Sequence, residues 1–259
     1  MDSNDTIEIS ATETRTESNE IVSTITISRP AKLNVLNWQA IRDLTEKILE
    51  VSATPDLRCV IVQGGGDKAF IGGADIKDMC DLDPDSARDF ITSLHEACQA
   101  LRDCPVPVIA KIRGYCLGGG MEVAAACDMR FASTGSTFGM PEVNVGVPSV
   151  IEAALLPRLI GWGKTNELLM TGKIISADEA HSIGFLENVV DESELDSAVH
   201  ELTTGILGAA PMAIRAQKSL MRKWEHMTVD ESIQAGIDAF AEAYSTDEPK
   251  VYMRRFLDR

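Results

Sequence analysis

The stretch Gly114-Tyr115-Cys116-Leu117-Gly118-Gly119-Gly120-Met121-Glu122-Val123-Ala124-Ala125-Ala126-Cys127-Asp128 carries the strongest local signal of the sequence. It follows a continuous apolar run at 106–112, which predicts a buried strand. The glycines allow a tight turn and close backbone approach, and the apolar run after them predicts a helix. The first N–H groups of a helix have no helical partner and can stabilise an anion. The stretch therefore predicts a strand, a turn and a helix whose start holds an anion site beside Glu122.

A second acid, Glu142, follows Phe138-Gly139-Met140-Pro141, twenty positions after Glu122. Two carboxyls beside an anion site favour proton transfer next to a carbonyl group. Each acid also has a simpler interpretation. Glu122 is favourable in the first turn of a helix because of the helix dipole, and Glu142 can cap a neighbouring segment.

Length and composition limit the class of protein. The chain has 259 residues, of which 44% are hydrophobic, which suits one large domain or a domain with an appendage. The net charge is −16, and a pI of about 4.6 argues against nucleic-acid binding, which needs a clustered basic face.

The six cysteines lie between Cys59 and Cys127 without a CxxC pair, as free thiols do in a reducing compartment. The first twenty residues lack the features of a signal or transit peptide, and no apolar stretch is long enough to span a bilayer. These features predict a cytoplasmic protein that binds neither membranes nor nucleic acid.

Hydrophobic periodicity predicts a mixed α/β chain. Alternating patterns at 7–10 and 21–28 predict two paired strands. Short apolar runs predict further strands at 59–63, 106–112, 129–132 and 186–190. Helical patterns cover 38–51, 84–101, 194–207, 211–224 and 229–244, so the C-terminal third is predicted to be mostly helical.

Several motifs fail on inspection. Gly161-Trp162-Gly163-Lys164-Thr165 lacks the first glycine of a phosphate-binding loop, because that position is Arg158. The glycines at 114–120 do not form GxGxxG, and Gly135-Ser136-Thr137-Phe138-Gly139 has its serine one position too early for a nucleophile elbow. The four histidines have no ligand spacing, so no metal site is predicted.

Four segments, in order along the chain, resemble the enoyl-CoA hydratase/isomerase, or crotonase, superfamily. The stretch at 29–36 looks like its first CoA-contacting loop, and the stretch at 68–77 resembles its first oxyanion segment. The stretch at 118–122 is similar to its second oxyanion segment with the first acid, and 138–142 to the segment with the second acid. The resemblance covers nearly the whole chain.

The resemblance implies a fold and a set of catalytic residues. The fold would be a spiral of β-β-α units at 1–195 with a helical region for trimerisation at 196–259. The backbone amides of Ala74 and Gly119 would form the oxyanion hole. Glu142 would be the principal proton donor, and Glu122 would help to hold and activate water.

The resemblance also implies the binding of an acyl-CoA thioester without a metal or redox cofactor. Coenzyme A would meet six residues in two loops, namely Ala31, Lys32, Leu33, Asp75, Ile76 and Lys77, although loop lysines are more often simply solvated. The assembly would be a homotrimer or homohexamer, in which Tyr244 and Phe256 either reach a neighbouring subunit or pack internally. Apolar stripes such as Ile233, Ile237 and Phe240 also favour an assembly larger than a monomer.

One departure concerns the acyl pocket. Typical hydratases continue after the second acid with Pro-Gly-Ala-Gly-Gly-Thr, whereas this chain has Gly146-Val147-Pro148-Ser149-Val150-Ile151-Glu152. Val150 and Ile151 are therefore expected to bound the acyl pocket, and the position of Glu152 is open.

The predicted activity is reversible hydration of a 2-enoyl-CoA to a 3-hydroxyacyl-CoA. The alternatives are a Δ3,Δ2-enoyl-CoA isomerase, which the presence of Glu122 disfavours, or another crotonase-type reaction on an acyl-CoA. A non-catalytic acyl-CoA-binding protein is a further alternative, which the intact acids and glycine loops disfavour.

Overall fold

The structure is a computed structural model that describes residues 6–258, with the side chain of Phe256 excepted. Ten strands are found in this part of the chain, namely β1 Glu8–Arg15, β2 Ile21–Ser28, β3 Leu57–Gly64, β4 Ala69–Ile71, β5 Val108–Ile112, β6 Tyr115–Leu117, β7 Met129–Ser133, β8 Thr137–Gly139, β9 Ile174–Ser176 and β10 Asn188–Val190. The helices are α1 Trp38–Ser52, α2 Ile76–Met79, α3 Pro84–Asp103, α4 Gly119–Ala126, α5 Leu156–Thr171, α6 Ala177–Ser182, α7 Leu195–Gly208, α8 Pro211–Trp224, α9 Val229–Ala243 and α10 Glu248–Leu257.

The strands form two sheets with orders β1-β2-β3-β5-β7-β10 and β4-β6-β8-β9. After the β1–β2 hairpin, each turn of the chain adds one strand to the larger sheet and the next strand to the smaller sheet. The successive pairs are β3 with β4, β5 with β6, and β7 with β8. Neighbours within this series run parallel. The result is the predicted spiral of β-β-α units.

Buried apolar side chains hold the turns of the spiral together around a hydrophobic core. The strands β3 and β5 are almost wholly buried, as their continuous apolar sequences predict for strands covered on both faces. The amphipathic helices α1 and α3 pack against each other and place residues such as Leu44 and Leu94 in the main core. Asp83 begins α3 with a capping box to Ser86.

The helical C-terminal region was also predicted correctly in outline. Helix α7 packs on the larger sheet with its own apolar cluster around Val199 and Ile206. Buried Lys218 of α8 binds Asp128 Oδ2 at 2.6 Å, and that same oxygen accepts the Val108 N–H at 2.7 Å. Asp128 therefore joins α8 to the start of β5. The division at residues 195 and 196 stays a prediction.

The short strands of the second sheet were not predicted, and neither were helices α2, α5 and α6. Strands β4, β6, β8 and β9 have three residues each, and β6 lies inside the glycine segment that was predicted to be a turn. The loops that carry the candidate site residues begin at the ends of these short strands.

Candidate active site

The predicted oxyanion donors lie together at one edge of the smaller sheet. Strands β4 and β6 are parallel neighbours, so the loops after them leave the sheet on the same side. Ala74 follows β4 and Gly119 begins α4. A Cβ atom placed on Gly119 would lie 3.9 Å from the Ala74 nitrogen. Within residues 6–258, no backbone acceptor is found for either N–H, so both are available to a bound oxygen.

The loop at 29–36 and the loop at 72–75 are joined by backbone hydrogen bonds. The Gly72 N–H donates to Leu33 O at 2.8 Å. The Leu36 N–H donates to Gly73 O, and the Asp75 N–H donates to Leu36 O, both at 2.8 Å. These bonds fix the backbone on both sides of Ala74.

Two buried polar side chains support the same pair of loops. Arg29, which is 5% exposed, donates to Asp75 Oδ2 at 3.1 Å and to Val35 O at 2.9 Å. Asn34 is fully buried and donates to Gly65 O at 3.0 Å and to Ala69 O at 2.7 Å. Because these groups are shielded from water, loss of either side chain would leave backbone carbonyls without a partner.

The six residues predicted to contact coenzyme A are brought into one surface region by these loops. Four of them are exposed and two are half-buried, namely Ala31, Lys32, Ile76 and Lys77, and then Leu33 and Asp75. Asp75 begins α2 by accepting the Lys77 N–H at 3.1 Å. These six residues form an open surface beside the Ala74 and Gly119 amides, a pair that we call the oxyanion corner.

Glu122 lies in the first turn of α4 with its side chain turned into the protein. It is 4% exposed, and its Oε1 accepts the Ala153 N–H at 3.2 Å. Its pKa is raised from 4.5 to about 8, mainly by burial and also by the charges of Glu142 and Glu152, while the hydrogen bond from the Ala153 N–H acts to lower it. The carboxyl of Glu122 is therefore mainly protonated at pH 7.

Glu142 approaches the same corner from β8. It lies in a 3-10 helix, Pro141–Val145, and is half-buried. Its Oε2 accepts a hydrogen bond from Ser149 Oγ at 2.8 Å. Its Oε1 lies against Gly118, where an added Cβ would be 2.5 Å away. Gly118 has φ +52°, so both its conformation and the nearby carboxylate favour glycine.

A cleft of about 650 Å³ connects these groups. Both acids, Ala74 and Gly119 line it, and one wall is apolar, with Met79, Leu82, Phe90, Ile91, Leu94 and Val150. Val150 lines the cleft, and its contact with the acyl group stays a prediction. The expectation for Ile151 is wrong, because this residue packs against the hydrophobic core of the described chain instead. The reason is that the backbone turns into a second 3-10 helix, Ile151–Leu155, just after Val150.

Three functional neighbours were missed by sequence reasoning. Ser149 and the Ala153 N–H bind the two candidate acids. Glu152, whose position was open, is 5% exposed and pairs with His95 Nδ1 at 2.9 Å. The only sequence signal was the departure from the glycine-rich run, which predicts added bulk and a third carboxylate, Glu152, of open position.

The six cysteines are free thiols. Five of the six free cysteines are buried, and Cys80 is exposed. Within residues 6–258 no group of three or more His, Cys, Asp or Glu residues could hold a metal ion. The described helices include none that is both long and apolar enough to cross a membrane.

The C-terminal helices expose apolar side chains. Ile233, Ile237 and Phe240 are each more than half exposed along α9. Tyr244 is 46% exposed, with its ring centroid 5.4 Å from that of Phe240. The expectation for the Phe256 side chain falls outside the described part of the chain.

Comparison with known proteins agrees with this geometry. The family model for enoyl-CoA hydratase/isomerase matches residues 17–259. The short-chain-enoyl-CoA hydratase of Clostridium acetobutylicum is 34% identical over 92% of each chain, and the crotonyl-CoA hydratase of Syntrophomonas wolfei is 34% identical over 94% of each chain. The crystal structure of an enoyl-CoA hydratase from Bacillus anthracis superposes with a TM-score of 0.89 and 28% identity, over 97% of this chain and 96% of that one.

The fold is that of the crotonase class of enzymes. This chain belongs to the enoyl-CoA hydratase/isomerase family.

Proposed function

We propose that this protein catalyses the reversible hydration of a 2-enoyl-CoA to a 3-hydroxyacyl-CoA. The observation that carries the proposal is the pair of carboxyls, Glu122 and Glu142, lining one cleft with the Ala74 and Gly119 amides. The names of the relatives from Clostridium and Syntrophomonas support the same reaction and make crotonyl-CoA the first substrate to test.

The amides of Ala74 and Gly119 would bind the thioester oxygen. Water adds to Cβ only if the carbonyl is polarised and the enolate-like oxygen is stabilised as charge develops. Gly119 lies at the N-terminus of α4, where the helix dipole also favours negative charge. A single donor of this kind contributes about 10²–10³ in rate in other enzymes.

The two carboxyls would share one proton. In the free protein that proton is on Glu122, because the pKa of Glu122 is about 8. Water bound between the carboxyls can relay the proton to Glu142, which then delivers it to Cα. Glu122, now ionised, takes a proton from the same water as its oxygen bonds to Cβ. The product contains one added water, and Glu122 is protonated again for the next turnover.

Coenzyme A would bind along the two joined loops. Lys32 and Lys77 supply positive charge for its phosphates, while Ala31, Leu33, Asp75 and Ile76 would meet the nucleotide and the pantetheine through backbone and apolar contacts. The reaction changes no oxidation state, so the proposal requires neither a metal nor a redox cofactor. Activity that survives dialysis against a chelator would agree with this.

The test is a panel of short, long, branched and aromatic 2-enoyl-CoA and 3-enoyl-CoA thioesters. Hydration removes the conjugated absorbance and adds the mass of one water, whereas isomerisation leaves the mass unchanged. We expect hydration of the 2-enoyl compounds. Binding of coenzyme A without turnover of any thioester would overturn the proposal.

The acids are tested by Glu122→Gln and Glu142→Gln, which keep size and remove proton exchange. Each should lower crotonyl-CoA hydration by about 10²–10⁴, mainly in kcat. Glu46→Gln, on the exposed side of α1, is a matched control for loss of a carboxylate. Near-normal hydration by folded Glu122→Gln would contradict the two-acid mechanism, and isomerisation of a 3-enoyl-CoA without hydration would favour the isomerase.

A further inference from the structure

The segment at 149–153 contacts both candidate acids. Ser149 Oγ donates to Glu142 Oε2 at 2.8 Å, and the Ala153 N–H donates to Glu122 Oε1 at 3.2 Å. This segment is where the chain departs from the glycine-rich pattern of typical hydratases. Ser149 lies within this departure and brings a hydroxyl donor to the site.

Glu142 needs such a donor because its surroundings fix it weakly. It lies in a short 3-10 helix and is only half-buried, and a glutamate side chain has three rotatable bonds. Gly118 limits its position on the side of Oε1, but a glycine offers no side-chain hydrogen bond. Within residues 6–258, Ser149 is the only side chain found to donate to this carboxylate.

The position of Ser149 is itself constrained. Its chain neighbours Pro148 and Val150 both line the cleft, and Pro148 fixes its own φ. The Ala153 N–H also donates to Val150 O at 2.8 Å, which begins the 3-10 helix after Ser149. The hydroxyl is therefore held near the cleft by backbone on both sides.

We propose that Ser149 is a positioning residue, whose hydroxyl holds Glu142 between Gly118 and the cleft so that this carboxyl can exchange a proton with the substrate. Ser149 takes no part in the chemical step. The inference rests on the proposed role of Glu142. A reacting group that is misplaced by about 1 Å can cost 10²-fold in rate, which sets the scale of the effect.

The test compares Ser149→Ala with Ser149→Thr in steady-state hydration of crotonyl-CoA. We expect Ser149→Ala to lower kcat by about 10- to 100-fold with little change in KM, because substrate binding does not use the hydroxyl. Ser149→Thr retains a hydroxyl and should recover most of kcat. Ser182→Ala, which removes an exposed hydroxyl bonded to Glu179 O, is the matched control and should leave kcat unchanged.

A double-mutant cycle separates positioning from a structural role. If Ser149 acts through Glu142, adding Ser149→Ala to Glu142→Gln should lower kcat little further, because no proton-transferring carboxyl remains to be held. A structural role would instead lower kcat by the same factor in both backgrounds. Circular dichroism and affinity for coenzyme A show whether each variant is folded.

The outcomes separate failure of the proposed hydration activity from failure of the positioning role of Ser149. A wild-type chain that hydrates no 2-enoyl-CoA refutes the proposed function and removes this inference with it. An active wild type whose Ser149→Ala variant keeps kcat within about twofold refutes the role of Ser149 alone. Equal losses in the wild-type and Glu142→Gln backgrounds, or a loss confined to KM, also refute it.

Discussion

The buried carboxyl of Glu122 links catalysis to stability at the scale of single residues. Its pKa is raised from 4.5 to about 8, so the folded protein binds a proton that the unfolded chain releases between these values. Stability that depends on this proton is present below the unfolded pKa and falls as pH rises toward 8. The full difference corresponds to a few kcal/mol.

We therefore expect Glu122→Gln to stabilise the protein at alkaline pH. The amide stays neutral, so its free energy of unfolding lacks the decline between about pH 4.5 and pH 8. Thermal melts at pH 5 and pH 9 check this, and the gain in Tm over wild type should be larger at pH 9. A gain that is equal at both values would mean that Glu122 is not protonated in the folded state.

The same proton predicts the pH dependence of hydration. The relay needs the proton on Glu122, and Glu122 loses this proton as pH rises above about 8. We expect kcat/KM to fall above that value, since this quantity reports the ionisation of the free protein. A profile of kcat/KM from pH 6 to pH 10 measures the effect, and a constant value up to pH 10 would contradict it.

The sequence indicated that Glu122 and Glu142 converge on one cleft, but it did not indicate the surroundings of these acids. Their catalytic roles stay a prediction. Glu122 and Glu142 were recognised because each follows glycines in a recurrent family segment. The positions of Ser149, Glu152 and Ala153 depend on a 3-10 helix at 151–155, for which the sequence has no periodic signal. Every residue except proline has a backbone N–H, so the sequence does not show that the Ala153 amide donates to Glu122.

At the scale of secondary structure, length decides what could be predicted. Helices α1, α3, α8 and α9 were located to within two residues, because each is amphipathic over fourteen residues or more. The strands of the second sheet have three residues each, too few to show alternation. Helix α5 was missed because Gly161 interrupts it with non-helical backbone at φ 74° and ψ 158°.

The segment after Glu142 leads to a prediction on acyl specificity. Val150 lines the cleft, and Ile151 packs against the core. We expect Val150→Gly to raise the relative kcat/KM for bulkier acyl groups, because it removes a side chain from the cleft wall. The measurement is kcat/KM across acyl-CoA substrates of increasing size.

Ile151→Gly is the matched control for that experiment. This substitution should leave the order of substrates unchanged, because the lost side chain packs against the core and does not line the cleft. If Val150→Gly leaves relative kcat/KM unchanged while the protein stays folded, this wall does not set specificity.

At the scale of the whole molecule, the C-terminal helices leave apolar surface uncovered. A groove of about 910 Å³ between α8, α9 and α10 is lined by residues that include Leu220, Tyr252 and Met253. Ile233, Ile237 and Phe240 add an exposed stripe along α9. Contiguous apolar patches of this kind mark association surfaces, and they support the proposal of a homotrimer or homohexamer.

We expect a mass in solution of several 28.1 kDa chains and not of one. Light scattering at assay concentration measures it. Phe240→Glu should shift the protein toward smaller species, because a charge is costly in an apolar interface. Glu242→Gln on the same exposed helix is the control. A wild-type mass near that of one chain would remove the proposal of an assembly.

The loops at 33–36 and 72–75 make the oxyanion corner visible to hydrogen exchange. The amide protons of Leu36, Gly72 and Asp75 are held in hydrogen bonds between the loops, whereas those of Ala74 and Gly119 have no backbone acceptor within the described chain. In deuterated solvent, the bonded amides should therefore exchange slowly and the two free amides rapidly. A saturating acyl-CoA thioester should slow exchange at Ala74 and Gly119 in particular. Hydrogen exchange at the Ala74 and Gly119 amides would therefore detect binding of the thioester carbonyl without a measurement of turnover.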